Sequence, residues 1–322
     1  MSQAAQNGLQ RVTEHTPIID AHAHIFPEVR GTIGDGPTRG MGYGRIAVGD
    51  TELQLFPPYG EKTTFTPEML LANMDWAGVD KAVLLQGPFY GECNRYVLDA
   101  LNRYPSRFIG AAYFDPWAEA CREAFDKIME APGFRAIKLE CSEATGLCSI
   151  HPEAKLDAPD ITWLWDEIEQ AGLVLVLDLG AVGSRSYQTN AVHTIAAQHP
   201  DLRIVIAHLG QPRPAAEADK AHWQLWQEQI DLGLLPNVWF DNSALPAYLA
   251  DEGYPYPSAE RYMRVAMDRI GPGKIMWGTD QPGLLSHANY PQLVKLSELH
   301  TPFLSAHERA LFLGRTALHV YG

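Results

Sequence analysis

The chain has 322 residues, enough for one α/β barrel with insertions or for two smaller domains. Its composition, 46% hydrophobic and 20% charged, is that of an ordinary globular protein rather than a disordered or repetitive one. A formal net charge of -14 argues against a nucleic acid or an anionic membrane surface as a partner, because both require a basic footprint. We therefore expect a small-molecule substrate.

The amino-terminal residues 1–16 are predicted to form a tail. They lack the apolar core of a signal peptide, and nowhere does the sequence contain the roughly 20 apolar residues that span a bilayer, so we expect a cytoplasmic protein. The cysteines show no CxxC spacing, which favours free thiols over a disulfide framework or a structural zinc site. They are Cys93, Cys121, Cys141 and Cys148.

Eight short apolar runs, rich in β-branched residues, predict eight strands. In chain order these are Ile18–His24, Ala82–Gln86, Ile109–Phe114, Ala136–Glu140, Leu173–Leu179, Ile204–His208, Val238–Asp241 and Ile275–Asp280.

Segments with helical signals separate most of these strands. Thr66 is a predicted N-cap for a helix that stops at Gly78, and apolar residues recur at helical spacing over 161–168. Ser305 and Glu308 have the spacing of a capping box that opens the last helix.

Eight strands that alternate with helices predict a (β/α)8 TIM-type barrel over residues 17–322, in one domain. The alternative is a doubly wound open sheet, but its usual glycine-rich nucleotide turn does not follow the first strand. The glycine- and proline-rich residues 27–65 are predicted to be an irregular loop over the mouth of the barrel, either a lid or binding loop, a disordered insertion or an oligomer contact. A second irregular stretch, 244–258, is expected beside the same mouth.

The first predicted strand ends in the sequence DAHAH. Because side chains alternate along a strand, Asp20, His22 and His24 are expected to share one face, which points into the barrel. Two imidazoles on one strand can chelate one divalent ion, so a metal site or a direct catalytic role is predicted here.

Three more ionisable residues end apolar strands, where a barrel places its active site: Asp178, His208 and Asp280. Lys138, in the strand RAIKLE, is a further candidate. It could bind an anionic substrate group, carry a carbamate between two metals, or simply reach solvent.

Five motifs together identify a family resemblance: DAHAH, FTPEMLLANMDWAGVDKAVLL, AHLGQP, MWGTDQP and the closing LGRTALHVYG. From about Pro17 to the carboxyl terminus, the chain resembles the amidohydrolase-2 branch of the amidohydrolase superfamily. This branch contains sugar-lactone and pyrone-dicarboxylate lactonases, and decarboxylases of the aminocarboxymuconate-semialdehyde and resorcylate type.

The resemblance implies that His22 and His24 bind metal, that Asp280 binds metal or shuttles a proton, and that His208 is catalytic or orients the substrate. Asp178 stands where many relatives have a metal-binding histidine, and we predict that it is a ligand too. A divalent metal, Zn or Mn, is the expected cofactor. Metal-free operation stays open, because pyrone-dicarboxylate lactonases of this branch work without metal. Asp20 is expected to steer one of the histidines.

The predicted reaction is hydrolysis of a small lactone, or a related ester or amide, by a metal-activated water. Asp280 would take the proton from that water, and His208 would donate a hydrogen bond to the carbonyl oxygen. The alternatives are a metal-dependent non-oxidative decarboxylase and a barrel without catalytic activity.

The residues expected to hold the substrate are Lys138, Arg185 and Tyr187, with Arg39 or Arg45 from the long loop. Aromatic stretches such as HWQLWQ and GYPYP would suit a homo-oligomer interface, although aromatic residues at helical spacing are more often core.

Overall fold

The computed structural model describes residues 16–31 and 37–322, so most of the predicted amino-terminal tail and part of the long loop lie outside the described residues. The strands are β1 (Ile19–Ala23), β2 (Thr38–Gly42), β3 (Arg45–Val48), β4 (Thr51–Gln54), β5 (Lys81–Leu84), β6 (Phe108–Tyr113), β7 (Phe134–Glu140), β8 (Val174–Asp178), β9 (Arg203–Ile206), β10 (Val238–Asp241) and β11 (Ile275–Met276). The helices are α1 (Pro67–Ala77), α2 (Asn94–Arg103), α3 (Cys121–Glu130), α4 (Leu147–Ile150), α5 (Thr162–Gln170), α6 (Thr189–Gln198), α7 (Pro214–Ala218), α8 (Lys220–Ile230), α9 (Leu245–Tyr248), α10 (Ser258–Ile270), α11 (Tyr290–Leu299), α12 (Ala306–Ala310) and α13 (Thr316–Tyr321).

Eight parallel strands form the main sheet, in the order β1, β5, β6, β7, β8, β9, β10, β11. Backbone hydrogen bonds join its two ends: the N–H of Ala21 donates to the Trp277 carbonyl at 2.9 Å, and the N–H of Asp280 donates to the His22 carbonyl at 2.7 Å. The sheet is therefore a (β/α)8 barrel, as predicted, and the open doubly wound sheet is excluded because such a sheet has two unpaired edges.

The predicted helix signals act as local capping contacts. Thr66 caps α1 by accepting a hydrogen bond from the Met69 N–H, and Gly78 ends that helix in the left-handed region at φ 73°. Ser305 and Glu308 form the predicted capping box of α12. These contacts fix where each helix starts or stops beside the barrel.

Two apolar layers hold the fold together. One lies between the strands and the outer helices and contains Leu164, Trp165 and Ile168 of α5. The other fills the barrel, where side chains such as Val83 and Val176 meet Tyr321 of α13. Since α13 covers the amino-terminal end of the barrel, the interior opens at the carboxyl-terminal ends of the strands.

The long segment after β1 is more ordered than predicted. Strands β2, β3 and β4 form a separate antiparallel sheet, so the expectation of an irregular loop over 27–65 is wrong for its middle part. Phe26 and Phe65 exchange two backbone hydrogen bonds of 2.9 and 3.0 Å, which clamp the base of this insertion. Leu55, just after β4, reaches the mouth of the barrel.

Two further predictions concern the whole described chain. All four cysteines are free. Among residues 16–31 and 37–322, none of the helices combines the length and the apolar character needed to cross a membrane.

Candidate active site

A cavity of about 590 Å³ opens at the carboxyl-terminal mouth of the barrel. Predicted site residues line it: His24, Lys138, Asp178, His208 and Asp280. Leu55, Phe89, Tyr90 and Tyr248 supply apolar and aromatic walls. The ends of different strands thus bring together ionisable groups that are far apart in sequence.

A bulge in β1 decides which of its side chains face the cavity. Ile19 and Ala21 belong to the cluster inside the barrel, whereas Asp20 accepts a hydrogen bond from Tyr290 of α11 on the outside. The register of β1 shifts between Asp20 and Ala23, and this shift turns His22 inward directly after Ala21.

Asp20 therefore does not share a face with the histidines, and its predicted role in steering an imidazole is wrong. It accepts hydrogen bonds from the backbone N–H of His22, from the backbone and hydroxyl of Thr279, and from the hydroxyl of Tyr290. Burial raises the pKa of Asp20 to about 7, although its hydrogen bonds act in the opposite direction. Asp20 fastens the end of the eighth strand to β1.

Asp241, at the end of β10, orients the ring of His22. The Nδ1–H of His22 donates to Asp241 Oδ2 at 3.1 Å, and both side chains are fully buried. Burial, and then the charge of Lys138, lowers the pKa of His22 well below its ordinary value. His22 is thus neutral, and its Nε2 lone pair lies 3.3 Å from Lys138 Nζ.

His24 is oriented in the same way by a backbone carbonyl. Its Nδ1–H donates to the carbonyl of Leu85 at 2.8 Å, which leaves Nε2 to face Asp280 Oδ1 at 3.0 Å. Burial is the main reason that the pKa of His24 is lowered. The ring of Tyr90 packs at 4.8 Å between centroids and fixes the imidazole plane.

Asp280 occupies a strained backbone position at the mouth. Its φ is 63°, in a region that non-glycine residues rarely adopt, and the hydrogen bond to the His22 carbonyl holds it there. Burial would raise its pKa, but the close contact with His24 and the positive charge of His208 outweigh burial and lower it. The carboxylate is ionised and 24% exposed to the cavity.

A divalent cation could be bound by the side chains of His22, His24 and Asp280, because of their protonation states and their spacing. Both imidazoles use Nδ1–H internally, so two Nε2 lone pairs point towards one carboxylate oxygen, at 3.7 and 3.0 Å. Metal-binding histidines commonly donate their other N–H to a carboxylate or a carbonyl, as these two do. The possible ligand atoms of this group lie within 4.8 Å of one another.

A second group with comparable spacing contains His22, His208 and Asp241. Its atoms are already engaged, because Asp241 accepts hydrogen bonds from the His208 backbone N–H and from Ser243 as well as from His22. Asp241 is also completely buried. The residues therefore fit a divalent cation at the first group and not at the second.

His208 forms an ion pair with Asp178. Its Nε2 lies 3.2 Å from Asp178 Oδ2, and its Nδ1–H donates to the hydroxyl of Ser243 at 2.8 Å. Burial opposes a charge on His208, but the charge of Asp178 and the hydrogen bond to it outweigh burial and raise the pKa of His208 to about 9. His208 is cationic at neutral pH, and both of its ring N–H groups are occupied.

The structure does not bring Asp178 into the cation site. Besides pairing with His208, it accepts hydrogen bonds from the Gly180 N–H and from Gln211, each at 3.0 Å. Both carboxylate oxygens are therefore occupied, and neither metal-spaced group among the described residues contains Asp178. Asp178 was predicted to be a metal ligand, but in the structure it is the ion-pair partner of His208.

Lys138 and Glu140 are two residues apart on β7, so they lie on the same face of the strand and both line the cavity. Lys138 is 3% exposed, so it does not reach solvent as one alternative supposed. Burial, and then the charge of Asp178, raises the pKa of Glu140 to about 7.

The structure places the predicted substrate-binding residues Arg185 and Tyr187 outside the cavity. The exposed guanidinium of Arg185 pairs with Glu143 and turns to a separate surface groove, and the hydroxyl of Tyr187 donates to the Gly210 carbonyl at 2.9 Å. Arg39 and Arg45 are exposed residues of the β2–β4 sheet and do not line the cavity either.

The arginine that does line the cavity is Arg213, whose guanidinium lies over the ring of Tyr248 at 4.5 Å. It follows the AHLGQP motif directly in sequence.

Sequence analysis missed Asp241 and Glu140. Both are acidic residues at the ends of predicted strands, and both share a strand face with residues inside the barrel, Trp239 and Ala136. The criterion that selected Asp178, an ionisable residue at the end of an apolar strand, would also have found them.

The comparisons with known proteins agree with this architecture. The family model described as "Amidohydrolase" matches residues 19–322. The L-fucono-1,5-lactonase of Burkholderia ambifaria is 28% identical over 80% of this chain and 85% of its own length. The 4-sulfomuconolactone hydrolase of Hydrogenophaga intermedia is 24% identical over 75% of each chain.

Among solved structures, an amidohydrolase from Burkholderia multivorans superimposes with a TM-score of 0.71 at 21% identity, covering 95% of this chain and 99% of its own, in a crystal form with bound HEPES. A second crystal form of it, with bound zinc, gives 0.70 at 20% identity with the same coverage. At these identities the likeness concerns the fold.

Proposed function

The chain belongs to the amidohydrolase family and is an enzyme of the hydrolase type, and we propose that it hydrolyses a small lactone. The observation that carries this proposal is the ionised carboxylate of Asp280, which faces the cavity beside two neutral imidazoles. The relatives with 28% and 24% identity are both named as enzymes that open lactones, which supports the same substrate class.

His22, His24 and Asp280 would hold a divalent cation. When bound, such a cation supplies Lewis-acid chemistry, polarising a carbonyl and lowering the pKa of water towards neutrality. Asp241 and the Leu85 carbonyl keep the two imidazoles in the tautomer that has no proton on Nε2, the atom that would bind the cation.

Asp280 is the proposed general base. Its carboxylate takes a proton from water as the water oxygen bonds to the lactone carbonyl carbon. It then returns this proton to the ring oxygen as the carbon–oxygen bond of the ring breaks, so that the product is a hydroxy acid. The lowered pKa of Asp280 keeps it ionised and ready for the first of these steps.

Lys138 and His208 supply the positive charge that the carbonyl oxygen needs as it becomes negative. Lys138 Nζ lies 3.3 Å from His22 Nε2, on the wall of the cavity. His208 acts through its charge rather than through the hydrogen bond predicted from sequence, because Ser243 and Asp178 occupy its two N–H groups.

The test is an acid-release assay on a panel of γ- and δ-lactones at constant pH, run beside a carbon dioxide assay on hydroxybenzoates. The proposal expects titratable acid in proportion to enzyme from at least one lactone, and no carbon dioxide. Release of carbon dioxide without lactone opening would replace it by the decarboxylase alternative. A folded chain that is inactive in both assays would favour the barrel without catalytic activity.

A further inference from the structure

Four consecutive residues after β9 form a left-handed turn, which we call the 208–211 turn. His208, Leu209, Gly210 and Gln211 have φ angles of 60°, 51°, 64° and 56°. Three of them carry a Cβ atom, which makes the left-handed region unfavourable, and residues other than glycine adopt it singly rather than in a run. Such a run persists only where the surrounding structure holds it in place.

Two side chains of the 208–211 turn meet on Asp178 at the mouth of the barrel. His208 Nε2 lies 3.2 Å from Asp178 Oδ2, and Gln211 Nε2 donates to Oδ1 at 3.0 Å. Both ends of the turn therefore contact one carboxylate. The positive charge that His208 contributes beside the reacting carbonyl depends on this contact, so the shape of the turn decides where that charge lies.

Two aromatic side chains hold the backbone of the 208–211 turn from outside the barrel. The indole N–H of Trp226, in α8, donates to the Leu209 carbonyl at 2.8 Å, and the hydroxyl of Tyr187 donates to the Gly210 carbonyl at 2.9 Å. Both side chains are buried, and neither lines the cavity. A Cβ atom on Gly210 would lie 2.5 Å from Gln229 Oε1 and 3.1 Å from the Tyr187 hydroxyl, so the turn packs tightly against this outer layer. The two donors thus fix two consecutive carbonyls of the strained run.

We infer that Tyr187 and Trp226 are positioning residues of the active site. By holding two carbonyls of the 208–211 turn they keep it left-handed, and the turn in this form keeps His208 on Asp178. When either donor is removed, a buried carbonyl loses its partner and the turn relaxes, which moves His208 away from Asp178. The effect on catalysis rests on the proposed lactone hydrolysis, whereas the effect on the position of His208 does not.

The kinetic experiment measures kcat and KM separately for the best lactone substrate in Tyr187→Phe and Trp226→Phe. Each variant should lower kcat about 5- to 30-fold, the range that corresponds to the loss of one buried hydrogen bond. KM should stay within about twofold of wild type, because His208 acts on the charge that develops in the transition state and neither aromatic residue lines the cavity. Wild-type kcat in both variants overturns the inference.

Trp165→Phe is the matched control for Trp226→Phe. Trp165 is buried in the same apolar layer, and its indole N–H donates to the Leu156 carbonyl at 3.1 Å, which is not part of the 208–211 turn. The control therefore loses the same kind of bond and should keep kcat within about twofold of wild type. An equal loss of kcat in Trp165→Phe and Trp226→Phe would show that lower stability alone is sufficient, and it overturns the inference.

A double substitution separates positioning from stability. In the His208→Gln background, Tyr187→Phe should lower kcat no further, because the side chain that Tyr187 positions has been removed. If Tyr187→Phe lowers kcat by the same factor with and without His208, the inference is overturned. Tyr187→Phe removes a single oxygen atom, so it decides the question even if Trp226→Phe fails to fold.

Proton NMR gives a readout that needs no substrate. The ring N–H of His208 that faces Asp178 should give a downfield signal, identified by its absence from His208→Gln and its shift in Asp178→Asn. This signal should move upfield in Tyr187→Phe and Trp226→Phe, as the contact lengthens, and stay in place in Trp165→Phe. If wild-type enzyme opens no lactone, the proposed function is wrong and the NMR signal alone decides: an unchanged position in both variants overturns the inference.

Discussion

Replacing Asp178 by asparagine tests whether the ion pair with His208 sets the charge of that histidine. The pair raises the pKa of His208 from 6.5 to about 9. At about 1.4 kcal/mol per pKa unit, the cation is favoured by ~3 kcal/mol relative to an ordinary histidine. Asparagine keeps the shape and removes the charge. The largest contributions that raise the pKa of His208 are then lost while burial still lowers it, so His208 should titrate at a lower pH than in wild type.

The assay is a titration of the histidine ring nitrogens by two-dimensional NMR from pH 5 to 10, with His208→Gln to identify the signal. We expect His208 to be cationic at pH 7 in wild type and to lose its proton at a lower pH in Asp178→Asn. A His208 signal that titrates at the same pH in both proteins would refute the reasoning, because Asp178 would then not be the source of the charge.

The pH dependence of unfolding gives an independent check on the directions of the two pKa shifts. The pKa of His208 is raised in the folded state, so its contribution to stability is complete below about pH 6.5 and is lost as pH rises towards 9. The pKa of Asp178 is lowered, so its contribution is lost as pH falls below the ordinary value of 3.8. The stability difference between wild type and Asp178→Asn should therefore be greatest between these limits. A difference that stays constant from pH 6 to 9 would contradict the ion pair.

Two other substitutions probe the supports of the site. Asp241→Asn should weaken zinc binding about 10- to 100-fold in a chelator competition, because Asp241 orients His22 and raises its basicity; unchanged affinity would contradict the assigned cation site. Thr279→Val should lower the free energy of unfolding in urea by ~1–3 kcal/mol, because the hydroxyl donor to buried Asp20 is lost. The exposed Thr194→Val is its control, and an equal loss in both would argue against the Asp20 anchor.

The barrel could be predicted from sequence because its signals are local and repeated. Each strand is a short apolar run, and each helix that was delimited has its own start or stop residue, as Thr66 and Gly78 show. The end of the eighth barrel strand was harder to predict from the sequence. Regular pairing in β11 ends at Met276, and residues 277–281 then pair irregularly with β1.

The bulge in β1 could not be predicted, because it depends on how that strand pairs with its neighbour. Strict alternation placed Asp20 with His22 and His24, and one shift of register moved it to the opposite face. The role of Asp178 was hidden for a similar reason. Its pairing with His208 depends on the turn after β9, where His208 and Leu209 both have positive φ.

Substrate-binding residues were the least predictable, because long side chains on loops have many possible partners. Arg185 was selected for its place after the fifth barrel strand, yet its guanidinium pairs with Glu143. Arg213 lies at the mouth because it packs on Tyr248, a residue of the separate segment 244–258. Nothing in either local sequence encodes that contact.

The most direct test of the central claim is kcat/KM for the best lactone substrate, measured for wild type, Asp280→Asn and the surface control Arg185→Ala. If Asp280 is the general base, Asp280→Asn should lose about 10²- to 10⁴-fold, mainly in kcat, while remaining folded. Arg185→Ala should stay within about twofold, since an exposed ion pair contributes little. Retention of near wild-type activity by Asp280→Asn would contradict the proposed chemistry.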